Sequence, residues 1–519
     1  MNRTILLVSV QRDLDVIGVK LLHYHLLSRS YDSRLLFLPA YAADPAPEDD
    51  ERICEFVAGL SPLFVGVSLM SVEYRRAARL TRVLKARFPS LPVLWGGIHP
   101  TISPETCLDV ADYVCVGEGE QSILDFAEAL SSGGDPRRVR NVCCRRAGEV
   151  KRNDLYPPIE DLDALPPYEH LPRHGHILAG KAVVPLDVKR FRKHARYAGT
   201  TYSVITSRGC PFSCTYCCNN AVSRIYGSRR VRFRGLAHVV DEVKEAFARN
   251  PYLETVNFQD DCFLARSPER LAEFCEAYRK EVGKPFIVRS IPTFITREKI
   301  ASLKAAGLSW ISMGLQSGSD RVCSVVYKRT STPAEFLAAA RLVGDARVAA
   351  FYDVILDNPY ETDRERVETA RVLAATPRPF YVQIFSLTMY PGTELYERSV
   401  ADGLIRGDEY QTKDYFAFRR LAINDLIAMA PFLNASLLKF FTRLYLRSPR
   451  SWLLRLGVIA ARIAVGALLQ PVAYLGVVKM SQGGSWLRTL RALPNYVKEA
   501  AMRFGIQVLG RRRGDREGR

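Results

Sequence analysis

Three cysteines set the strongest constraint on this chain. Cys210, Cys214 and Cys217 stand in the run Ser207-Arg208-Gly209-Cys210-Pro211-Phe212-Ser213-Cys214-Thr215-Tyr216-Cys217-Cys218, directly after the strand-like Tyr202-Ser203-Val204-Ile205-Thr206. Three thiolates at C-x3-C-x2-C spacing can ligate three irons of a cubane cluster and leave the fourth iron without a protein ligand. Iron-sulfur clusters normally take four cysteines, and structural zinc sites close with four ligands. A three-ligand loop therefore points to a position kept open for a substrate or cofactor. Cys218 is adjacent to Cys217, points elsewhere on the loop and is read as a packing thiol. The alternative is a zinc site completed by Cys218 or a remote histidine.

Ahead of the cysteines, about 140 residues follow a different pattern. Thr4-Ile5-Leu6-Leu7-Val8 is an apolar run suited to a buried parallel strand. Leu63 to Leu69 and Leu91 to Gly97 repeat it, separated by helix-like stretches such as Tyr74 to Arg87. This alternation predicts a doubly wound, Rossmann-like α/β domain over residues 1–145. Ligands of such sheets sit at the carboxyl ends of the strands, where the sequence places Ser68, Gly96, Gly97 and His99, and the run Gly117-Glu118-Gly119-Glu120. No Gly-x-Gly-x-x-Gly follows the first strand, which leaves a dinucleotide little support.

Residues 146–201 read as a basic, Pro-rich connector (Tyr156-Pro157-Pro158, Leu165-Pro166-Pro167). From 202 to 400, strand and helix patterns alternate about six times, as in a partial (β/α)6 barrel, whose chemistry sits at the C-terminal strand ends. A mainly helical, basic region over 401–519 completes the chain. From residue 430 on it carries sixteen Lys or Arg against three Asp or Glu. Its apolar stretch Ile463 to Val478 is shorter than the ~20 residues a spanning helix needs. It suits an interfacial anchor or a helical lid, with arginines facing anionic headgroups; the alternative is a helical domain packed on the barrel. Nucleic-acid binding is disfavoured, because the basic residues interleave with aliphatic stretches. The twelve cysteines show no paired framework and no secretory apolar segment follows Met1-Asn2-Arg3, so a reducing cytoplasm is expected, with contact at the inner face of the membrane as an option.

The cysteine loop and its flanks resemble the radical S-adenosylmethionine (SAM) superfamily. Phe258-Gln259-Asp260-Asp261-Cys262-Phe263, Gly314-Leu315-Gln316-Ser317-Gly318-Ser319 and Met389-Tyr390-Pro391-Gly392-Thr393-Glu394 look like further motifs of that family. The resemblance implies a 4Fe–4S cluster on Cys210, Cys214 and Cys217, SAM on the open iron, and SAM contacts from Asp260, Gln316 and Ser317. Where many relatives have Leu-Pro-Gly-Glu-Thr, this chain has Asp357-Asn358-Pro359-Tyr360-Glu361-Thr362, which puts the local turn geometry in question. Gly96-Gly97-Ile98-His99-Pro100-Thr101, Pro104-Glu105 and Gly117-Glu118-Gly119-Glu120 resemble the cobalamin-binding domain fused upstream of many radical SAM enzymes. That implies cobalamin against Ser68, Gly96, Gly97, His99, Gly117, Glu118 and Gly119, with the glycines admitting the macrocycle to the backbone. In the frame Asp13-Leu14-Asp15-Val16-Ile17-Gly18, Asp15 occupies the slot of the cobalt-ligating histidine, and a carboxylate is a poor substitute for imidazole on a soft metal. The lower face of cobalt is therefore expected to lack a ligand from this protein.

These resemblances imply a cobalamin-dependent radical SAM enzyme that methylates an unactivated carbon of a hydrophobic, natural-product-like or lipid substrate, supplied with electrons by a flavodoxin or ferredoxin. Ring formation or carbon-carbon coupling on a lipid or tetrapyrrole uses the same parts. An RNA methylthiotransferase and a non-catalytic cobalamin or redox sensor are weaker readings. Cys54, Cys107 and Cys115 match a second cluster poorly, and a sensor has no need of SAM motifs.

Overall fold

In the computed structural model, which describes residues 3–41, 47–180, 182–449, 451–465, 470–481 and 490, the first strand shows why the chain folds as it does. Along β1 (Thr4–Ser9), Ile5 and Leu7 enter one apolar core while Leu6 and Val8 enter another, one on each face. A strand buried on both faces must lie in the middle of a sheet. It pairs in parallel with β2 (Asp32–Phe37) and β3 (Val65–Ser68). Parallel pairing continues from β3 to β4 (Val93–Gly96) and from β4 to β5 (Tyr113–Cys115). Helices such as Ile17–Ser28, Pro47–Leu60 and Tyr74–Arg87 make the crossovers.

Among the described residues this sheet has nine strands. β6 (Val142–Arg146), β7 (Glu149–Arg152), β8 (Gly175–Ala179) and β9 (Ala182–Pro185) extend it at its two edges, in the order β7-β6-β5-β4-β3-β1-β2-β8-β9. The connector expected over 146–201 thus supplies edge strands. β6–β7 and β8–β9 are short antiparallel hairpins, and β7 shows mostly exposed residues. Edge strands of that kind lack the apolar run that marks a central one.

Chain contacts divide the molecule into two units. Met1–Ser203, Tyr216–Leu253 and Met389–Thr412 form the first; Val204–Thr215, Glu254–Thr388 and the described part of Lys413–Arg519 form the second. After β10 (Thr201–Val204) and the two-residue strands β11 (Ser207–Arg208) and β12 (Arg232–Phe233), the second sheet is built from β13 (Thr255–Phe258), β14 (Phe286–Ser290), β15 (Leu308–Gln316), β16 (Ala349–Leu356) and β17 (Tyr381–Ser386). Its order is β10-β13-β14-β15-β16-β17, and β13 to β17 pair in parallel. The helices Pro268–Glu281, Arg297–Ala306, Pro333–Asp345 and Asp363–Ala375 alternate with the strands. Six strands with intervening helices match the expected partial barrel. Tyr360 does not take a positive φ; the left-handed residue of that turn is Asp357 at φ 61°. An aspartate tolerates this conformation, and here its carboxylate accepts from Ser386 Oγ (2.7 Å), Arg419 N–H (2.9 Å) and Asn424 Nδ2 (2.9 Å).

The C-terminal region is helical where described: Ala422–Met429, Ala435–Arg447, Trp452–Ala464 and Gln470–Ser481. Part of the apolar stretch Ile463 to Val478, residues 466–469, lies outside the described residues. Its described end packs inward. Val477 and Val478 are buried, and Val477 packs with Trp310 and Ala349 of the second sheet. Among the described residues no helix is long and apolar enough to cross a membrane.

Candidate functional site

The cysteine loop begins at Gly209, whose φ of +103° turns the chain where β11 ends and a side chain would strain the backbone. Cys210 is buried, Cys214, Cys217 and Cys218 are half-buried, and none of the four is in a disulfide. Cys217 occupies the N-cap of the helix Cys218–Tyr226. The middle of the loop is held by Thr215, whose N–H donates to the Tyr327 carbonyl (3.0 Å) and whose hydroxyl donates to the Val326 carbonyl (2.7 Å). Among the described residues no group of three or more His, Cys, Asp or Glu is drawn together around a single-ion site.

Asp260 is fully buried and turned toward the approach to the loop. It accepts from Thr206 N–H (3.2 Å), Thr206 Oγ1 (2.9 Å) and Ser207 Oγ, and Arg266 lies 3.9 Å away. A buried carboxylate needs such partners. Asp260 thus fixes the residues that lead into Cys210, and its hydrogen bonds are made within the protein. Cys262, two residues on, is buried and its thiol is pushed up to about 12 by that burial, so it stays protonated at neutral pH.

At the end of β15 the two expected SAM contacts part ways. Gln316 is half-buried at φ 66°, and its Oε1 is buried without a hydrogen-bond partner. A methyl group at Gly314 would collide with the Gln316 amide, so the glycine makes room for it. An orphaned buried acceptor costs about 1–3 kcal/mol unless something donates to it. Ser317, by contrast, donates to Glu361 Oε1 at 2.7 Å, while Gly318 N–H donates to Thr369 Oγ1 at 2.7 Å. Ser317 thus seats the helix Asp363–Ala375. Glu361 is pushed up to about 7 by burial. Glu365 is pulled down to about 2, chiefly by hydrogen bonding from Arg321. Sequence reasoning missed this acidic pair. The capping box from Thr362 to Glu365 was its visible signal.

In the first unit the structure brings together the ends of β3, β4 and β5. Ser68 ends β3 beside Gly97, whose φ is +104° and where a Cβ would lie 2.7 Å from the Leu69 carbonyl oxygen. Gly97 C=O accepts from Thr101 N–H (3.1 Å) and Thr101 Oγ1 (2.7 Å), and Gly117 N–H donates to the same hydroxyl at 3.1 Å. Gly117, at φ +85°, has Tyr226 pressed against it, and Glu118 N–H donates to Tyr226 Oη at 2.7 Å. Glycine is thus required at 97 and 117 by the protein's own backbone and side chains. At Gly96 and Gly119 a Cβ would make only ordinary contacts. The Glu118 carboxylate is taken up by Arg232 (2.6 and 3.1 Å) and by Ile159 N–H (2.8 Å). His99 is fully buried among Tyr74 and Tyr410. Its Nδ1 is 3.0 Å from Ser71 Oγ, and its Nε2 has no partner. Burial pushes it down to about 4, so the imidazole is neutral at pH 7.

Asp15, in the slot of the cobalt-ligating histidine, lies 3.8 Å from the buried ammonium of Lys20 and accepts from Ser203 Oγ. Lys20 also donates to the His170 carbonyl at 3.0 Å. The carboxylate faces an internal cation, and its Oδ1 is buried without a hydrogen-bond partner. Gly18, which closes the same frame, has no atom within 4 Å of where a Cβ would stand, so the frame borders open space.

Residues 204–373 match the family model of the Radical SAM superfamily, and residues 3–127 match that of the B12 binding domain. Similar proteins include an uncharacterized methyltransferase of Pyrococcus horikoshii, 27% identical over 363 residues, covering 68% of this chain and 72% of that protein. The anaerobic magnesium-protoporphyrin IX monomethyl ester cyclase of Rubrivivax gelatinosus is 25% identical over 358 residues, covering 67% of this chain and 60% of that one. Among solved structures, the radical SAM methyltransferase TsrM of Kitasatospora setae, with cobalamin and a 4Fe–4S cluster bound, superposes with a TM-score of 0.62. The two are 19% identical, and 78% of each chain is covered. The fold and the two domain matches define a B12-binding sheet joined to a radical SAM barrel. The chain thus carries a radical SAM domain and a B12-binding domain, the pair found in cobalamin-dependent radical SAM enzymes, and these domains imply a 4Fe–4S cluster, SAM and cobalamin as cofactors.

The residues present fit these groups. Three cysteines on one loop, none in a disulfide, suit a cluster with one open iron. The orphaned Gln316 acceptor suits a ligand that brings a donor. At Gly96, which ends β4, a Cβ would make only ordinary contacts, so that strand end is not crowded.

Proposed function

We propose that the enzyme methylates an unactivated carbon of a small hydrophobic substrate. Cys210, Cys214 and Cys217 hold three irons, and Gln316 Oε1 accepts a hydrogen bond from SAM. The strand ends at Ser68, Gly96 and His99 border the cobalamin. When bound, the cluster and SAM supply one-electron chemistry that generates a carbon radical, and cobalamin carries a methyl group. The protein's own contribution is placement and exclusion of water. Asp260 and Thr215 fix the loop, and Thr101 ties the Gly97 and Gly117 turns together. The single observation that carries the reading is the three-thiol loop braced by Asp260 in a chain that also bears the B12-binding sheet. Methyltransferases among the similar proteins support the reaction class. An external one-electron donor such as a flavodoxin or ferredoxin, in the cytoplasm, completes the proposal.

The similarity to a tetrapyrrole cyclase favours a second reading, oxidative ring closure. Anaerobic reconstitution with SAM, reductant, hydroxocobalamin and candidate substrates, followed by mass spectrometry, separates the two. Methylation yields 5′-deoxyadenosine together with S-adenosylhomocysteine. Deoxyadenosine without S-adenosylhomocysteine selects the cyclase reading, and neither product from loaded protein overturns both.

A further inference from the structure

The helices Ala435–Arg447 and Trp452–Ala464 show a pattern the proposed chemistry does not use. In the first, Leu438, Thr442 and Tyr445 face inward, and Tyr445 Oη donates to Asp363 at 2.8 Å. On the outside, Leu437, Phe440 and Leu444 share one arc of the helix at 3.6 residues per turn, and all are exposed. Lys439, Arg443 and Arg447, spaced four apart, form an exposed row beside that arc. In the second helix Leu454 and Val458 face inward, and Arg462 pairs with Asp425. Its outward side carries Trp452, Leu453, Leu456, Ile459 and Ile463. Trp452 is 66% and Ile463 68% exposed. Arg455 flanks this face, and the two helices contain no Asp or Glu.

Soluble surfaces rarely expose so many contiguous large apolar side chains without a partner. The charge decides which partner fits. A second copy of this chain would set one row of cations against another. Residues 482–519 carry nine Lys or Arg against three Asp or Glu, so they share the sign of the face. A nucleic acid offers anionic charge but no aliphatic depth for Leu456, Ile459 and Ile463. An anionic bilayer offers both, with apolar side chains entering the acyl boundary and lysine and arginine at the headgroups.

We propose that this helix pair is a peripheral docking surface for anionic lipid, independent of the catalytic reading above. The contact lies on residues 437–463, ahead of the inward-packed end of the apolar stretch that the sequence singles out. The test is flotation of the full-length protein with phosphatidylcholine vesicles, with and without phosphatidylglycerol, at low and high salt. Wild type floats with anionic vesicles, and salt releases it. Each basic residue near the surface contributes roughly fivefold to partitioning, so Lys439→Ala/Arg443→Ala lowers it roughly 25-fold. Leu456→Ser/Ile463→Ser abolishes flotation while circular dichroism stays unchanged, because both side chains are already in solvent. Equal flotation with neutral and anionic vesicles, or flotation undiminished in either double variant, overturns the proposal. So does a dimer in sedimentation velocity that Leu456→Ser/Ile463→Ser dissolves, which would assign the face to a second copy.

Discussion

Gly117→Ala perturbs the contact between the turn after β5 and the helix Cys218–Tyr226. The added methyl would stand 2.8 Å from Tyr226 Cζ and closer still to its hydroxyl, on a backbone at φ +85°. The left-handed conformation costs a non-glycine residue about 1–2 kcal/mol, and overpacking costs a further ~1–3 kcal/mol. The single substitution should therefore destabilise the first unit by roughly 2–5 kcal/mol. In a Tyr226→Ala background only the backbone cost remains. Equilibrium denaturation of the four proteins of this cycle should then give a coupling of about 1–3 kcal/mol. Tyr226→Phe alone leaves Glu118 N–H without its acceptor and should cost about 1–3 kcal/mol. Additive effects, within about 0.5 kcal/mol, would refute the claim that Tyr226 is what glycine at 117 accommodates.

Cys210→Ala, Cys214→Ala and Cys217→Ala should each lose reductive SAM cleavage, whereas Cys218→Ala should keep most of its iron in a colorimetric assay; the reverse pattern would reassign the ligands. Glu361 is raised from an ordinary value near 4.5 to about 7, so its effect on stability is most favourable below pH 4.5 and is lost as pH rises through 7. Glu361→Gln should accordingly be more stable than wild type at pH 8, by up to about 3 kcal/mol, with the advantage gone below pH 4.5. Cob(II)alamin bound to the protein should show no nitrogen superhyperfine splitting from a lower ligand, because Asp15 replaces histidine and is paired with Lys20; a triplet that vanishes in His99→Ala would contradict this.

The central strands and the cysteine loop were legible because their signals are local. β1, β3 and β4 are apolar runs, and the thiols sit within one turn of chain. What Asp260, Ser317 and Glu118 do was not legible, since each is satisfied by residues distant in sequence: Thr206, Glu361 and Arg232. A motif marks such a residue without saying whether it faces a ligand or the protein. The edge hairpins escaped because their strands are only four or five residues long, too short for an apolar run or an alternation to stand out. In the C-terminal helices the hydrophobic content was plain, but which face turns outward depends on packing against Asp363 and Asp425, far earlier or on another helix.

The most direct test of the central claim is electron paramagnetic resonance of the reduced, anaerobically reconstituted protein with and without SAM. Three cysteine ligands leave one iron open, so the 4Fe–4S signal of wild type should change its g-values when SAM is added, and Gln316→Ala should weaken the SAM concentration dependence of that change. A four-iron signal indifferent to saturating SAM would mean the fourth iron is already ligated, and would contradict the account.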